Sequence, residues 1–260
     1  MIEKLLIAFI QGITEFIPVS SSLHIIIFSD LLGVEKNILN SVALHFGSLI
    51  ALIAYFYNDK NFLLVFKNYK FLINLLIFSV LPVFLIGFLF YSILSLDLKI
   101  GLISIMGTFI FGVILIFTDK LKSNDHNLYS VSRKKLFIIG LFNCLALIPG
   151  VSRSASIIIG SRFMGLDFEN SIRLSLILSL PVISGAFFLT IIKNLNNADF
   201  AIYEILINVL FSFLISYYSI KIFYRFSSKK GFKVFGLYRI VLSLFLSLIH
   251  ISEPTRRSSI

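Results

Sequence analysis

An all-α polytopic membrane protein is the fold class this sequence predicts, and three observations predict it. Hydrophobic residues make up 58% of the 260-residue chain and charged residues only 14%, more apolar surface than a globular domain can use. The apolar residues are gathered in runs, several of them long enough to cross a ~30 Å hydrocarbon core. Lysine and arginine, which give a net charge of +10, collect in the loops between the runs. In a soluble protein that charge would point to nucleic acid. Between membrane spans it sets topology, and no nucleic-acid partner is expected. With 29 Phe and no Trp, the interfacial aromatic role passes to tyrosines near segment ends, such as Tyr55, Tyr57, Tyr69 and Tyr224. The one cysteine, Cys144, excludes an internal disulfide and reads as packing. No cleavable signal peptide is read at the start, because Glu15 interrupts the first apolar run.

Taken in order, residues 4–15 are apolar for about a dozen positions, too few to span. Pro18 and three serines follow, then a second short run, His24 to Leu32. Two half-length helices joined by a polar turn make a re-entrant hairpin, which survives at membrane depth only when buried in protein or lining a wet cavity. Full spans are expected over 40–57, 71–95 (with Pro82 as a kink) and 100–118, where Gly107 and Gly112 allow close helix approach. A polar linker, 119–135, divides the chain. The scheme then repeats: a short leg over 136–148, a break at Pro149-Gly150, a return over 156–166, and spans over 172–193, 202–224 and 235–249. The expected architecture is six transmembrane helices plus two re-entrant helical hairpins in one integral membrane domain, residues 1–245. Residues 246–260 are set apart, because LSLIHISEPTR (Leu246 to Arg256) resembles translated sequencing-adaptor sequence rather than native protein.

The two halves, about 1–118 and 136–245, read as repeats. Aligned without gaps, Val19–Ile27 matches Val151–Ile159 at six of nine positions, and the same shift sets Gln11 opposite Asn143. If the first hairpin opens on one face, the linkers 58–70, 119–135, 162–173 and 225–234 lie on the other. Those linkers hold fourteen lysines and arginines against four (Lys4, Lys36, Lys99 and Lys193) on the hairpin face, leaving out the last dozen residues. The basic face is therefore cytoplasmic. An odd number of spans per half inverts the second copy, as in inverted-repeat transporters with a site near the midplane.

Ionisable groups at membrane depth are costly and mark function. Residues 11–24 (QGITEFIPVSSSLH) and 149–156 (PGVSRSAS) hold a carboxylate, Glu15, the hydroxyls Ser20, Ser21, Ser22, Ser152 and Ser154, an imidazole, His24, and a guanidinium, Arg153. A serine is a nucleophile once a base takes its proton, and phosphoryl transfer needs cations around the phosphate oxygens. Arg153 supplies a planar fork of donors. Gly150 with Ser152 to Ser154, at the start of a helical leg, offers N–H groups and hydroxyls to an anion. Glu15 beside an anionic substrate makes sense as a base or as a ligand to a divalent cation. The bland alternatives are serines bonded to the preceding turn and Arg153 as a structural clamp on Glu15. His45 reads as packing, Glu204 as a dipole-favoured surface group, and Asp30 and Asp97 as interfacial.

At these residues the chain resembles the bacterial undecaprenyl-diphosphate phosphatases of the bacitracin-resistance (BacA) type. The resemblance rests on (E/Q)xxxE followed by PVSSxxH, here Gln11, Glu15, Pro18, Val19, Ser20, Ser21 and His24, and on PGxSRS, here Pro149, Gly150, Ser152, Arg153 and Ser154. It implies an enzyme of the bacterial inner membrane that hydrolyses undecaprenyl diphosphate on the periplasmic side, regenerating the lipid carrier for peptidoglycan and conferring bacitracin resistance. It implies Mg²⁺ or Ca²⁺ as cofactor and a polyprenyl diphosphate as substrate; whether a second copy joins it in a homodimer is left open by the sequence. Carried over by position, Glu15 is the motif acid and a metal ligand, Gln11 its partner, Ser21 the nucleophile, His24 the proton-transfer group and Arg153 the diphosphate clamp, with serine or histidine as the attacking group left open. Ser20, Ser22, Gly150, Ser152 and Ser154 fall on the substrate side. Leu23, Ala155 and Ile157 stand where the family has Gly, Gly and Thr. A polyprenyl-phosphate flippase is the competing reading, since inverted repeats are transporter architecture. A phosphatidic-acid-phosphatase site is disfavoured, because no second histidine follows Arg153 before the suspect tail.

Overall fold

Backbone N–H and C=O groups in a bilayer must be satisfied within the segment, and the chain answers with helices. The computed structural model describes residues 2–34, 38–91, 101–124, 127–194 and 202–252. The elements are α1 (Ile2–Thr14), α2 (Ser21–Leu32), α3 (Ile38–Asn58), α4 (Lys60–Lys67), α5 (Tyr69–Leu75), α6 (Leu81–Tyr91), α7 (Leu102–Thr118), α8 (Arg133–Cys144), α9 (Arg153–Phe163), α10 (Phe168–Asn194), α11 (Ile202–Lys230) and α12 (Lys233–Ser252). No strand occurs among the described residues. Four stretches, Ser41–Asn58, Tyr69–Leu89, Phe168–Leu189 and Ile205–Lys230, are long and apolar enough to cross a membrane. With α7 at 17 residues and α12 at 20, the protein is a polytopic membrane protein.

Three local differences from the sequence reading have physical causes. The linker 58–70 is not simply a loop: α4 forms there because Phe62 and Val65 bury into the core while Lys67 stays in its last turn. The second span carries a π-turn, Leu76–Val80, ahead of Pro82. Proline lacks the N–H that would bond the Phe78 carbonyl, and Gly140 of α8 packs against that carbonyl so closely that a Cβ would collide with it. The returning legs begin three residues earlier than expected, at Ser21 and at Arg153, so the polar residues form first helical turns rather than loops. Asp97 and Glu204 lie outside the residues whose side chains are described, as does most of the tail read as non-native. Asp30 is exposed, and the Cys144 thiol only bonds back to Gly140.

Apart from α4, the helices of the first half have counterparts 132 positions on whose starts fall within two residues: α1 and α8, α2 and α9, α3 and α10, α5–α6 and α11, α7 and α12. The α7–α12 and α3–α10 pairs run antiparallel. Asp119 at the end of α7 accepts from Phe232 and Lys233 N–H groups at the start of α12 (2.8–2.9 Å), while Thr108 and Gly107, earlier in α7, meet Arg239 further along α12. Phe46 of α3 stacks on Phe187 near the end of α10, and Arg173 near the start of α10 lies 6.0 Å from the Phe62 ring just beyond α3. The linkers read as one face also meet. Arg162 donates to carbonyls of Thr118, Leu121 and Leu166 and to the Ser123 hydroxyl, and the Asn124 N–H bonds Gly165. Both legs of the second hairpin thus start and finish on the basic face.

Candidate active site

Two serines hold the backbone geometry of the site. Ser20 (φ 74°) and Ser152 (φ 57°) are the two non-glycine residues with positive φ among those described, and they are counterparts under the 132-residue shift. A left-handed turn at a residue carrying a Cβ is costly, and it persists only where the surroundings over-determine it. Here it turns each broken leg sharply into α2 or α9, aiming both helix N-termini at one cavity. Gly150 makes the approach possible: it has φ 85° and lies so near the Ser104 carbonyl that any side chain would clash.

Arg239 ties the turns together. Its guanidinium is fully buried and donates to Pro18 O (3.2 Å) in the first hairpin and to Gly150 O (2.9 Å) in the second, with longer contacts to Thr108 O and Gly107 O of α7. The Ser154 hydroxyl adds a bond from the second hairpin to Ile17 O of the first (3.0 Å). Sequence reasoning passed over Arg239, although an arginine inside an apolar span is a functional suspect by default.

At the junction lies Glu15, its side chain 3% exposed. Its Oε1 accepts from Arg153 Nη2 (3.0 Å), and its Oε2 accepts from Gln11 Nε2 (2.6 Å) and from the Ser21 hydroxyl (2.8 Å). A carboxylate at this depth is tolerable because it is paired and hydrogen-bonded. Glu15 and Arg153 are 138 residues apart in the chain, so the two hairpins share one ion pair. Around it opens a cavity of about 280 Å³, walled on its polar side by Glu15, Ser20–Ser22, Ser104, Gly150, Ser152 and Arg153, and elsewhere by Leu23, Ile26 and Ala146–Ile148.

Of the residues expected at the site, Gln11, Glu15, Ser21 and Arg153 form one bonded cluster, and Ser20, Ser22, Gly150 and Ser152 line the cavity with it. Ser154 is buried and engaged with Ile17 O and the Ser152 hydroxyl (3.2 Å). His24 is held elsewhere. Its Nδ1 lies 2.8 Å from Ser20 O and so donates to it, which makes Nε2 the acceptor for the Tyr238 hydroxyl at 2.6 Å. Both ring nitrogens are engaged away from Ser21, so Glu15 is the base within reach of that hydroxyl. His45, read as packing, instead lines the cavity with Nδ1 3.6 Å from Glu15 Oε1. Its signal in the sequence was a titratable group inside a span. Ser104 is a further wall residue that its sequence context did not mark. Leu23 packs with Ile105 and Leu246, and Ile157 is in the core, so these departures add apolar packing and empty no site.

The fit to a divalent cation is narrow. Among the described residues Glu15 is the only carboxylate on the wall, and no group of three or more His, Cys, Asp or Glu gathers anywhere. Three donors already occupy its lone pairs, which leaves about one position on a carboxylate that offers roughly four. Mg²⁺ characteristically uses one or two carboxylates and completes its shell with waters and substrate phosphates. The site fits a cation of that kind only.

Comparison with known proteins shows the family. The family described as bacitracin resistance protein BacA matches residues 4–245. An undecaprenyl-diphosphatase of Pelagibacter ubique (strain HTCC1062) is 36% identical over 253 residues, covering 96% of this chain and 97% of its own. Proteins of the same name from Sulfurihydrogenibium sp. (strain YO3AOP1) and Methanobrevibacter smithii are 30% and 33% identical, each across 95% of this chain.

Proposed function

The chain belongs to the BacA family, and from that premise we propose that it is an undecaprenyl-diphosphatase, which hydrolyses undecaprenyl diphosphate to undecaprenyl phosphate and inorganic phosphate. One observation carries the assignment of the site: Ser21 of one hairpin and Arg153 of the other converge on a single buried carboxylate at a cavity wall. The terminal phosphate enters between the N-termini of α2 and α9, whose N–H groups and dipoles favour an anion, and Arg153 neutralises its oxygens. The Ser21 proton passes to Glu15 Oε2 as Oγ bonds the terminal phosphorus. The bridging P–O bond breaks, its electron pair stays with undecaprenyl phosphate, and that leaving group takes the proton from Glu15. Water then attacks the phosphoserine, giving its proton by way of Glu15 back to the Ser21 oxygen, and inorganic phosphate departs. A divalent cation, held by Glu15 Oε1 and the substrate's own oxygens, would neutralise diphosphate charge.

The same reading makes 1–118 and 136–245 an inverted repeat in the bacterial inner membrane, with the basic linker face in the cytoplasm and the site open to the periplasm. The apolar wall of Leu23, Ile26 and Ala146–Ile148 suits the first isoprene units of the lipid. The test is phosphate release from undecaprenyl diphosphate by the purified protein in detergent, beside Glu15→Gln. Turnover by the wild type, and loss of about 100-fold or more in the variant as expected for removal of a general base, support the proposal. Wild-type rates in Glu15→Gln sink the site assignment.

A further inference from the structure

His45 has no role in the mechanism above, yet its position is tightly set. It lies on α3 next to Leu44, whose carbonyl accepts the Ser212 hydroxyl of α11 (2.7 Å), and one turn before Ser48, which bonds Ser212 and Ser216 (3.2 and 2.9 Å). On its other side Phe46 stacks on Phe187 at 4.8 Å. These contacts fix the rotation of α3, and the imidazole therefore faces the cavity by construction. Its side chain is 37% exposed where Glu15 is 3% exposed.

The proton on the ring is also placed. Gln11 has one amide nitrogen with two hydrogens. It sits 2.6 Å from Glu15 Oε2 and 3.0 Å from His45 Nδ1. A carboxylate can only accept, so one hydrogen goes to Glu15 and the other lies toward Nδ1. Nδ1 is then the acceptor, and the proton of neutral His45 is on Nε2, the nitrogen turned away from the cluster. Resting on the proposed function, we infer that His45 is a substrate-binding residue: its Nε2–H donates to a phosphate oxygen of the bound diphosphate, opposite the Arg153 guanidinium. Gln11 is the positioning residue that holds it in the donating tautomer. The anion is thus gripped from three directions, by the α2 N-terminus, the α9 N-terminus with Arg153, and the α3 imidazole.

The test compares wild type, His45→Ala and His45→Gln in detergent, reading KM and kcat with undecaprenyl diphosphate and, separately, the affinity for inorganic pyrophosphate by calorimetry. A hydrogen bond to a charged acceptor lost from a binding site weakens binding by about tenfold or more. His45→Ala therefore raises KM and the pyrophosphate Kd by about tenfold, with kcat little changed. His45→Gln, which keeps an N–H donor of similar reach, restores both to near wild type and serves as the folding control. Unchanged pyrophosphate affinity in His45→Ala overturns the inference, as does loss of kcat in both variants at constant KM. If the wild type binds pyrophosphate through His45 but turns over no lipid, the proposed reaction fails and this contact stands.

Discussion

Replacing Arg239 with methionine separates stability from geometry. The guanidinium is fully buried, and its acceptors are carbonyls, two of them within 3.2 Å, Pro18 O and Gly150 O. At about 1.5–3 kcal/mol for each hydrogen bond from a charged donor, those two contribute roughly 3–6 kcal/mol. Against that stands the cost of keeping the ion out of water, itself several kcal/mol. The terms nearly cancel, so a methionine of similar reach should shift unfolding by no more than about 1–2 kcal/mol, mostly from the orphaned Pro18 carbonyl. Gly150 O still accepts from Thr108 Oγ at 3.2 Å. Activity should respond far more. Arg239 joins the hairpin that carries Glu15 and Ser21 to the one that carries Arg153, and misplacement by about 1 Å costs on the order of 100-fold in rate. The assay is phosphate release from undecaprenyl diphosphate beside thermal unfolding in the same detergent. A folded Arg239→Met protein with wild-type kcat and KM would refute the claim that this arginine sets the site.

Two other outcomes follow from the same geometry. Ser21→Ala should abolish turnover by about a thousandfold or more, as expected when the member of a catalytic unit that forms the covalent bond is removed, whereas Ser22→Ala, which touches only the Ser20 hydroxyl at 3.3 Å, should stay within about tenfold; equal rates for the two variants would exclude Ser21 as the nucleophile. Chelation with EDTA should stop phosphate release, and added Mg²⁺ should restore it. Full activity in EDTA would leave Arg153 and the helix N-termini as the sole counter-charge.

Much of the architecture was legible because lengths are hard constraints. A dozen apolar residues cannot cross a bilayer, so the short legs before Pro18 and Pro149 could only be hairpins. The convergence of Glu15 and Arg153 was legible for a related reason: each is too costly at that depth without a partner. Tyr238, His45, Ser104 and Arg239 were not read, or were read as packing. Their roles depend on the rotation of one helix against another, across 34 residues for Gln11 and His45 and 214 for His24 and Tyr238. That rotation is set by side-chain packing, such as the serines between α3 and α11, and a periodic apolar pattern leaves it open. The left-handed Ser20 and Ser152 were invisible for another reason. Serine has no preference for positive φ, and only the surrounding fold imposes it.

The pairing of those two serines shows where the two copies, under the proposed mechanism, part company. Under the 132-residue shift Ser20 answers to Ser152, Ser21 to Arg153, Ser22 to Ser154 and His24 to Ser156. The backbone is treated alike in both copies. The Ser20 carbonyl is bonded by His24 Nδ1 at 2.8 Å, and the Ser152 carbonyl by the Ser156 hydroxyl at 3.0 Å. On this comparison the Nδ1 side of His24 brackets a strained turn, as Ser156 does with a hydroxyl, which is why that nitrogen is unavailable for proton transfer. The copies differ one residue into the helix, where α2 begins with a hydroxyl and α9 with a guanidinium. Both reach the same carboxylate, and Glu15 has only Leu147 as its counterpart. Symmetry therefore supplies two converging helix N-termini suited to an anion. On the proposed mechanism, three unsymmetrical side chains turn that anion site into a nucleophile, a base and a clamp.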